Sequence, residues 1–463
     1  MLASINTQHG VVTRFAPSPT GYMTIGNFRT ALFSYLFAHK HQGVFLVRIE
    51  DTDLERSEQI YTDQLFNDLV RMGLQYDPTL VVHQSQRTHL YEEYYQKLIN
   101  DGLVYPCYCS PDELALERKI QLAQSQPPRY SGRCRNLSHQ ECQVKEEAGI
   151  KPVLRFHVRQ EKITFHDEIM GTKEFNSQDI GDFIIKKTDG QATFFFCNAI
   201  DDALTGVTHV LRGDDHLTNT PRQILLLQSL KLPIPAYGHF PLILGYDHKP
   251  LSKRTGSRSI KELLEEGYLP EAINNYLARL GHHLNSTELY SIQSIADHFT
   301  FDSIANSAAH FDQTQLDYWQ KQAFARLNGD QARNMLQPYA QQVENLDAFW
   351  QLVHPNITKA SELPLWIARL HQEQLACSYE QLSSYGWTIE HFEFLLQHWG
   401  VAWSTLLAGL KEKELKGKQL FMPLRLLMTG LEDGPPLEPL YQYMKHTTMD
   451  ARIKETLRAA KAL

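Results

Sequence analysis

Arg14-Phe-Ala-Pro-Ser-Pro-Thr-Gly-Tyr-Met-Thr-Ile-Gly-Asn27, running on into Phe28-Arg-Thr-Ala-Leu-Phe-Ser-Tyr-Leu-Phe-Ala38, is the stretch from which the fold is read. A short β-prone run (Val11, Val12, Phe15) meets a turn punctuated by proline and glycine, and a segment of helical periodicity follows. Strand, turn and helix in that order bring backbone N–H groups and a helix N-terminus to one place, an arrangement that binds phosphate. Gly21 and Gly26 let a ligand approach the backbone, and Pro17 and Pro19 stiffen the turn. Alone, the pattern is a weak signal, because many α/β folds contain one.

Working outward, Phe28, Leu32, Tyr35 and Leu36 predict a helix from near Ile25 that ends by Gly43, with His39, Lys40 and His41 suiting the dipole of its last turn. Val44-Phe-Leu-Val-Arg-Ile49 is an apolar run of strand length, as in a buried parallel strand. Glu50-Asp-Thr-Asp53 sits at its C-terminal end, the edge at which open α/β sheets bind ligands. A second helix is expected over Ser57–Met72.

Residues 82–190 differ in character: a cysteine cluster, a polar helix (Pro111 to Gln124) and short strands at Val153–Val158 and Phe183–Lys187. They read as an α+β insertion between two halves of a nucleotide-binding fold. The core returns at Ala192–Ile200, Asp201-Asp202 and Thr208–His216, with a helix over Pro221–Leu230. After a loop at Tyr246–Gly256, Ser259-x-x-Glu262 forms a capping box, and Pro270 and Gly281 bracket a helix through Leu280. Beyond residue 326 the pattern is helical throughout, with helices expected at Ala323–Leu336, Glu344–Val353, Glu362–Gln374, Ile389–Gln397 and Trp403–Leu410.

The expected fold class is therefore α/β plus all-α: a doubly wound parallel, Rossmann-type catalytic sheet with an α+β insertion, a helical region after the loop and an all-α C-terminal domain. The divisions fall at 1–81, 82–190, 191–245, 246–325 and 326–463.

The chain has 463 residues, 42% hydrophobic and 21% charged, with a net charge of −8, so no global basic field announces a polyanion partner. Binding to nucleic acid must then rest on locally placed lysine and arginine. Six cysteines, four of them between positions 107 and 142, fit a reducing compartment with one local thiol site better than a disulfide framework. No secretory leader pattern or membrane-length apolar run is evident, and the expected setting is cytoplasmic.

The opening stretch closely resembles the signature of bacterial glutamyl-tRNA synthetases of class I. That family usually reads His-Ile-Gly-His or His-Ile-Gly followed by Gly or Asn where this chain has Thr24-Ile25-Gly26-Asn27. Pro250-Leu-Ser-Lys-Arg254 resembles the second class I motif, with Pro250 in place of the usual lysine. The resemblance implies that Lys253 and Arg254 meet phosphate charge during adenylate formation, together with Thr24, Gly26 and Asn27. It implies ATP contacts from Pro17, Gly21, Ile25, Gly26, Asp215, Leu242, Ile243 and Lys253. It places Arg14 on the γ-carboxylate of glutamate, with Ser18 and Glu50 at the α-amino end and Asn198 and Arg212 in the same pocket. Phe194 stands where the family has tyrosine, so one hydroxyl is lost. Loss of the first histidine removes an imidazole near the scissile phosphate, and removing one such donor costs about a hundred- to a thousandfold in rate. Class I-like nucleotidyltransferases tolerate threonine there, so reduced rather than absent activity is implied.

By the same resemblance, the insertion binds the tRNA acceptor end, 246–325 contacts the stem, and 326–463 binds the anticodon. Lys416, Lys418 and Arg425 are candidate phosphate contacts, and Arg452, Lys454, Arg458 and Lys461 mark another basic helix. Cys107-x-Cys109-x24-Cys134 repeats a zinc spacing of some members, with Asn136 at the usual fourth position. His139 or Cys142 are the alternative fourth ligands, and a metal-free set of reduced thiols is the other outcome. The implied activity is ATP- and Mg²⁺-dependent, tRNA-requiring ligation of L-glutamate to tRNA(Glu), or to both tRNA(Glu) and tRNA(Gln), by a monomer. The rival reading is a catalytically impaired, tRNA-binding paralogue with a regulatory role, supported by Thr24, Phe194 and Pro250 and opposed by Arg14, Glu50, Arg212 and Lys253.

Overall fold

The computed structural model describes residues 10–52, 58–159, 162–251, 258–372, 377–445 and 449–462. These form two compact units, one of residues up to 264 with 270–316 and one of 265–269 with 317–463.

In the first unit, β1 (Val12–Phe15), α1 (Ile25–Lys40), β2 (Val44–Ile49), α2 (Gln59–Arg71) and β3 (Val82–His83) follow the strand–helix order read from sequence. Then come α3 (Thr88–Asn100), β4 (Val104–Cys107), α4 (Pro111–Ala123), α5 (His139–Glu147), β5 (Val153–Phe156), β6 (Lys162–Asp167), β7 (Gly171–Asn176), α6 (Ser177–Ile180) and β8 (Phe183–Lys186). They are followed by α7 (Phe194–Leu204), β9 (His209–Gly213), α8 (Thr220–Leu230) and β10 (Ala236–Phe240). Strand β2 lies parallel to β1 in register Val12↔Val44, and β3 parallel to β2 with Arg48↔Val82. Strand β10 lies parallel to β9, with His239 beside Arg212, and parallel to β6 through Tyr237↔Asp167.

The two parallel arrays meet where the Thr208 N–H donates to the Val12 carbonyl at 2.9 Å and the Val12 N–H donates to Thr208 Oγ1 at 2.8 Å. Strand order is then β3-β2-β1-β9-β10-β6-β7, with the chain running outward both ways from the β1/β9 junction. Such a switch point opens a crevice at the carboxyl ends of the strands, where ligands bind. The apolar faces of α1 and α7 (Phe28, Leu32, Leu36; Phe196, Ile200) are buried beside the sheet.

Ala192–Ile200 folds mainly as helix α7 behind its cap Thr193, although three consecutive phenylalanines favour a strand. The helix puts Asn198, Asp201 and Asp202 on one buried face, which an alternating strand cannot do. The hairpin β6–β7, within the stretch read as an insertion, extends the parallel sheet, while β4, β5 and β8 form a separate antiparallel sheet.

In the second unit the helix expected over Ala323–Leu336 is broken. One helix, Gln313–Ala325, ends there, and Gly329–Leu336 starts anew behind Asn328, whose side chain accepts from the Gln331 N–H while Gln331 reaches back to it. The helices pack around Trp387, Phe349, Leu406, Leu420 and Tyr441, all buried. Arg452 is buried with them, not displayed on a basic face. Its guanidinium donates to the carbonyls of Gln372, Leu427, Met428 and Arg369, ending two helices with one cation. Among the described residues no helix is long and apolar enough to cross a membrane.

Candidate active site

A cavity of about 550 Å³ opens at the switch point of the first unit. Arg14 ends β1 and Glu50 follows β2; Pro17 and Ser18 come from the turn; Thr24, Gly26 and Asn27 form the first turn of α1. Phe194 and Asn198 come from α7, Arg212 from the end of β9, Asp215 from the short helical turn after it, and Leu242, Ile243 and Pro250 close the far side. Most of the residues named from sequence thus share one wall. Ile25 is instead buried under the first turn of α1. A side chain at Gly21 meets nothing within 4 Å, so in the free protein its smallness is not required by packing. A Cβ at Gly213 falls 2.4 Å from Asp215 Oδ1, so the half-exposed Asp215 side chain would have to turn aside to admit one.

Lys253 and Arg254 lie outside the described residues, but the flanks of their loop are fixed. The Leu251 N–H donates to the Ile243 carbonyl at 3.0 Å; the Ile25 N–H donates to the Arg258 carbonyl at 3.3 Å, and the Ile260 N–H to the Met23 carbonyl at 2.9 Å. The predicted capping box forms at the second flank, Ser259 N–H donating to Glu262 and Glu262 N–H to Ser259 Oγ. Thr24 is the N-cap of α1: its Oγ1 accepts from the Asn27 N–H at 3.3 Å. Its hydroxyl proton can still donate, but the oxygen already serves the helix.

Behind the wall lies a buried ionic cluster. Arg14 Nε donates to Asp202 Oδ1 at 3.1 Å. Arg48, from β2, donates to the same oxygen, to Glu50 Oε1 at 3.4 Å and to Asn198 Oδ1 at 2.6 Å. Burial alone lowers the pKa of Arg48, but the carboxylates of Asp202, Glu50 and Asp201 outweigh it and raise it above its usual value. For Asp202 burial pushes upward and Arg14 and Arg48 prevail, so it stays ionised. For Glu50 burial prevails over Arg48 and Arg14, and its carboxyl titrates above its ordinary value. Asp201 anchors the cluster from behind, accepting from Arg87 at 2.6 Å, Gln84 at 2.9 Å and Tyr91 at 2.6 Å.

Arg212 is different. Its bonds go to neutral groups only: His239 Nε2 at 3.1 Å, Thr220 Oγ1 at 2.9 Å and Gln223 Oε1 at 2.6 Å. Its Nη1 is buried without a hydrogen-bond partner, and burial, then the charge of Arg14, pulls its pKa down to about 10. Arg14 and Arg48 meet Asp202 and Glu50 directly, whereas no carboxylate is hydrogen-bonded to Arg212, so its buried guanidinium is the one in this group open to an arriving anion. His216 stacks on Phe194 with ring centroids 5.2 Å apart, and burial and Arg212 drive its pKa to about 4, so it is neutral. Arg48, Asp202, His216 and His239 were not singled out from sequence. A cation inside an apolar strand, and an acidic pair after an apolar run, were the available signals.

The thiols of Cys107, Cys109 and Cys134 all lie within 4.8 Å of one another, and Cys109 and Cys134 are 3.6 Å apart. Tetrahedral zinc with bonds of about 2.3 Å needs thiolates about 3.8 Å apart, so the three fit that ion. Neither His139 nor Cys142 joins the group. The nearest fourth group is the Tyr130 hydroxyl, 3.3 Å from Cys107 Sγ and 3.6 Å from Cys109 Sγ.

In the second unit Lys416 and Lys418 are exposed. Arg425 is half-buried and donates to the Pro435 carbonyl at 2.8 Å, pinning the turn at Gly434–Pro436.

Residues 10–318 match the family model of class I tRNA synthetases (E and Q), catalytic domain. The chain is 45% identical over 461 residues to glutamate–tRNA ligase 2 of Coxiella burnetii (strain RSA 331 / Henzerling II), covering 96% of this chain and 99% of that protein. It is 43% identical over 461 residues to glutamate–tRNA ligase 1 of Methylococcus capsulatus, covering 96% and 98%. Among solved structures it is similar to a glutamate tRNA ligase from Elizabethkingia meningosepticum in complex with its amino acid. The TM-score is 0.82 at 25% identity, covering 97% of this chain and 99% of that one.

Proposed function

The chain belongs to the class I tRNA synthetases of the glutamate and glutamine type, and we propose that it is a glutamate–tRNA ligase. The observation that carries the reading is the buried cation Arg212, in a cavity it shares with Arg14, with no carboxylate of its own. The side-chain carboxylate of glutamate, assigned to Arg14 with Arg212 beside it in the same cavity, supplies that anion, and Glu50 supplies the negative partner for the α-ammonium.

In the first step an oxygen of the glutamate α-carboxylate attacks the α-phosphate of ATP and pyrophosphate leaves. In the second, a hydroxyl of the 3′-terminal ribose of tRNA attacks the acyl carbon and AMP leaves. The cavity contributes position and charge rather than proton transfer. The N-terminal end of α1 offers its dipole and the side chains of Thr24 and Asn27 to the nucleotide phosphates, the Ile25 and Asn27 N–H groups being already engaged by the Arg258 carbonyl and Thr24 Oγ1. Lys253 and Arg254 are assigned to the departing pyrophosphate, supported by the anchoring of both loop flanks beside the cavity. Mg²⁺, bound with the nucleotide, would supply charge neutralisation on its phosphates.

The proposed division of labour assigns 1–81 and 191–245 to catalysis, 82–190 to the acceptor end, 246–325 to the stem and 326–463 to the anticodon. Lys416 and Lys418 are its phosphate contacts, and Arg425 holds the Gly434–Pro436 turn. The three thiols, supplemented by Tyr130, are assigned to a structural zinc. Tests for tRNA(Gln) alongside tRNA(Glu), and for a monomeric state, belong to the same reading. ATP and tRNA as substrates, with all six cysteines free, support a cytoplasmic setting. Full-length similarity to ligases does not favour the regulatory paralogue. ATP–pyrophosphate exchange that requires both glutamate and tRNA is the expected result, and its absence defeats the proposal.

A further inference from the structure

We propose that Asp167 and His239 are positioning residues that hold the Arg212 guanidinium as an unneutralised cation and so set the preference of the cavity for a carboxylate over the matching amide. The inference rests on the ligase reading above.

The three residues are linked across neighbouring strands: Asp167 pairs in register with Tyr237 and reaches His239, two positions further on, through its side chain. His239 and Arg212 are register partners on β10 and β9, and Asp167 ends β6 beside them. Asp167 and His239 are fully buried. The Asp167 carboxylate is itself held by three backbone N–H groups, Ile169 at 3.0 Å, Met170 at 2.8 Å and His239 at 3.2 Å. Its other oxygen meets His239 Nδ1 at 2.5 Å.

Proton placement follows from the donors. Arg212 Nε can only donate, so His239 Nε2, 3.1 Å away, must accept. Thr220 Oγ1 lies 3.0 Å from the same nitrogen. The single ring proton is therefore on Nδ1, facing Asp167. A second proton on Nε2 would set N–H against N–H beside a buried guanidinium. The ring is neutral, and its lowered pKa, from burial and from Arg212 and Arg14, agrees despite the pull of Asp167.

The consequence is electrostatic. Had a carboxylate occupied the place of His239, it would form a charge-assisted pair with Arg212 and cancel the cation. The imidazole gives the guanidinium an acceptor that fixes its plane yet leaves its charge to the substrate. Asp167 stays one ring away, where it orients the acceptor without meeting Arg212. A neutral amide in the cavity cannot answer that charge, whereas a carboxylate does so directly.

The test is tRNA-dependent ATP–pyrophosphate exchange on the full chain, with L-glutamate varied, ATP varied, and L-glutamine as competitor. Wild-type exchange establishes the ligase reading first, so failure there is separate from failure here. His239→Leu is expected to raise KM for glutamate about ten- to a hundredfold, while KM for ATP stays within about twofold. His239→Gln keeps an acceptor toward Arg212 and is expected to recover most of that loss, although it binds no better to the fold. Asp167→Asn, which retains an acceptor for the three backbone N–H groups, is the gentler variant and is expected to raise KM for glutamate about threefold or more. In both weakened variants glutamine should compete relatively better. A glutamate KM equal to wild type in Asp167→Asn, equal rises for glutamate and ATP, or no advantage of Gln over Leu at position 239 overturns the proposal.

Discussion

Arg48 Nη2 donates to Asn198 Oδ1 at 2.6 Å, so a cation buried in strand β2 sets the orientation of an amide on helix α7. The same guanidinium holds Asp202 and Glu50, and through them Arg14. Removing it leaves Glu50 without its cationic partner and Asp202 with Arg14 alone. Arg48→Met should cost about 3–5 kcal/mol in stability, the penalty of breaking a buried pair. Chemical unfolding measures it, and Arg48→Lys should recover only part, since one ammonium cannot reach three acceptors in fork geometry.

Thr24 caps the helix whose N-terminus faces the cavity. Thr24→His restores the imidazole usual in the family and discards that cap. The expected outcome is a split: stability falls by about 1 kcal/mol while exchange activity stays equal or rises. Thr24→Ser keeps the cap and should match wild type in melting temperature. A large loss of activity in the histidine variant would mean the site is built around threonine.

Glu50 should impose an acid limit on glutamate binding. Burial raises its pKa above the ordinary carboxylate value despite Arg48 and Arg14, and only the ionised form attracts the α-ammonium. KM for glutamate should therefore rise as pH falls from neutral into the acid range, at a higher pH than an exposed glutamate would give. Glu50→Gln should show a higher KM that no longer changes across that limb.

The thiol cluster should carry about one zinc per chain by elemental analysis. Cys134→Ser should abolish it. Tyr130→Phe should weaken it if the phenol fills the fourth position, and leave it intact if a water does. A chelator that removes the ion should lower the melting temperature.

Arg452 ends two helices of the second unit at once. Arg452→Met leaves four backbone carbonyls without this donor, at about 1–3 kcal/mol for each one that stays dry. The expected result is an early unfolding transition, whereas Lys454→Met, on an exposed position of the same helix, should be near neutral.

The parallel sheet was legible because Val44–Ile49 is apolar along its length and is followed by acidic residues, and β2 has those bounds. The role of Arg48 inside it was not. Its partner Asp202 is 154 positions away, and no local pattern carries that pairing. The stretch Ala192–Ile200 was read only as a return of the core, and its helical form follows from burying Asn198, Asp201 and Asp202 on one face. Thr24 was read as a departure from a motif, and only the backbone reveals it as a cap. Arg452 looked like surface charge because neighbouring lysines surround it. Its burial depends on helix ends supplied from elsewhere in the chain.

The hydrogen bonds between Val12 and Thr208 close a loop of 196 residues. Chain-closure entropy of that size is met before any contact across the junction rewards it, and such non-local pairings form late. During synthesis β1 emerges long before β9 and waits with one edge unpaired. The half of the cavity built on β1, α1 and β2 therefore precedes the half built on α7 and β9, and the glutamate pocket is complete only when Asn198 and Arg212 arrive.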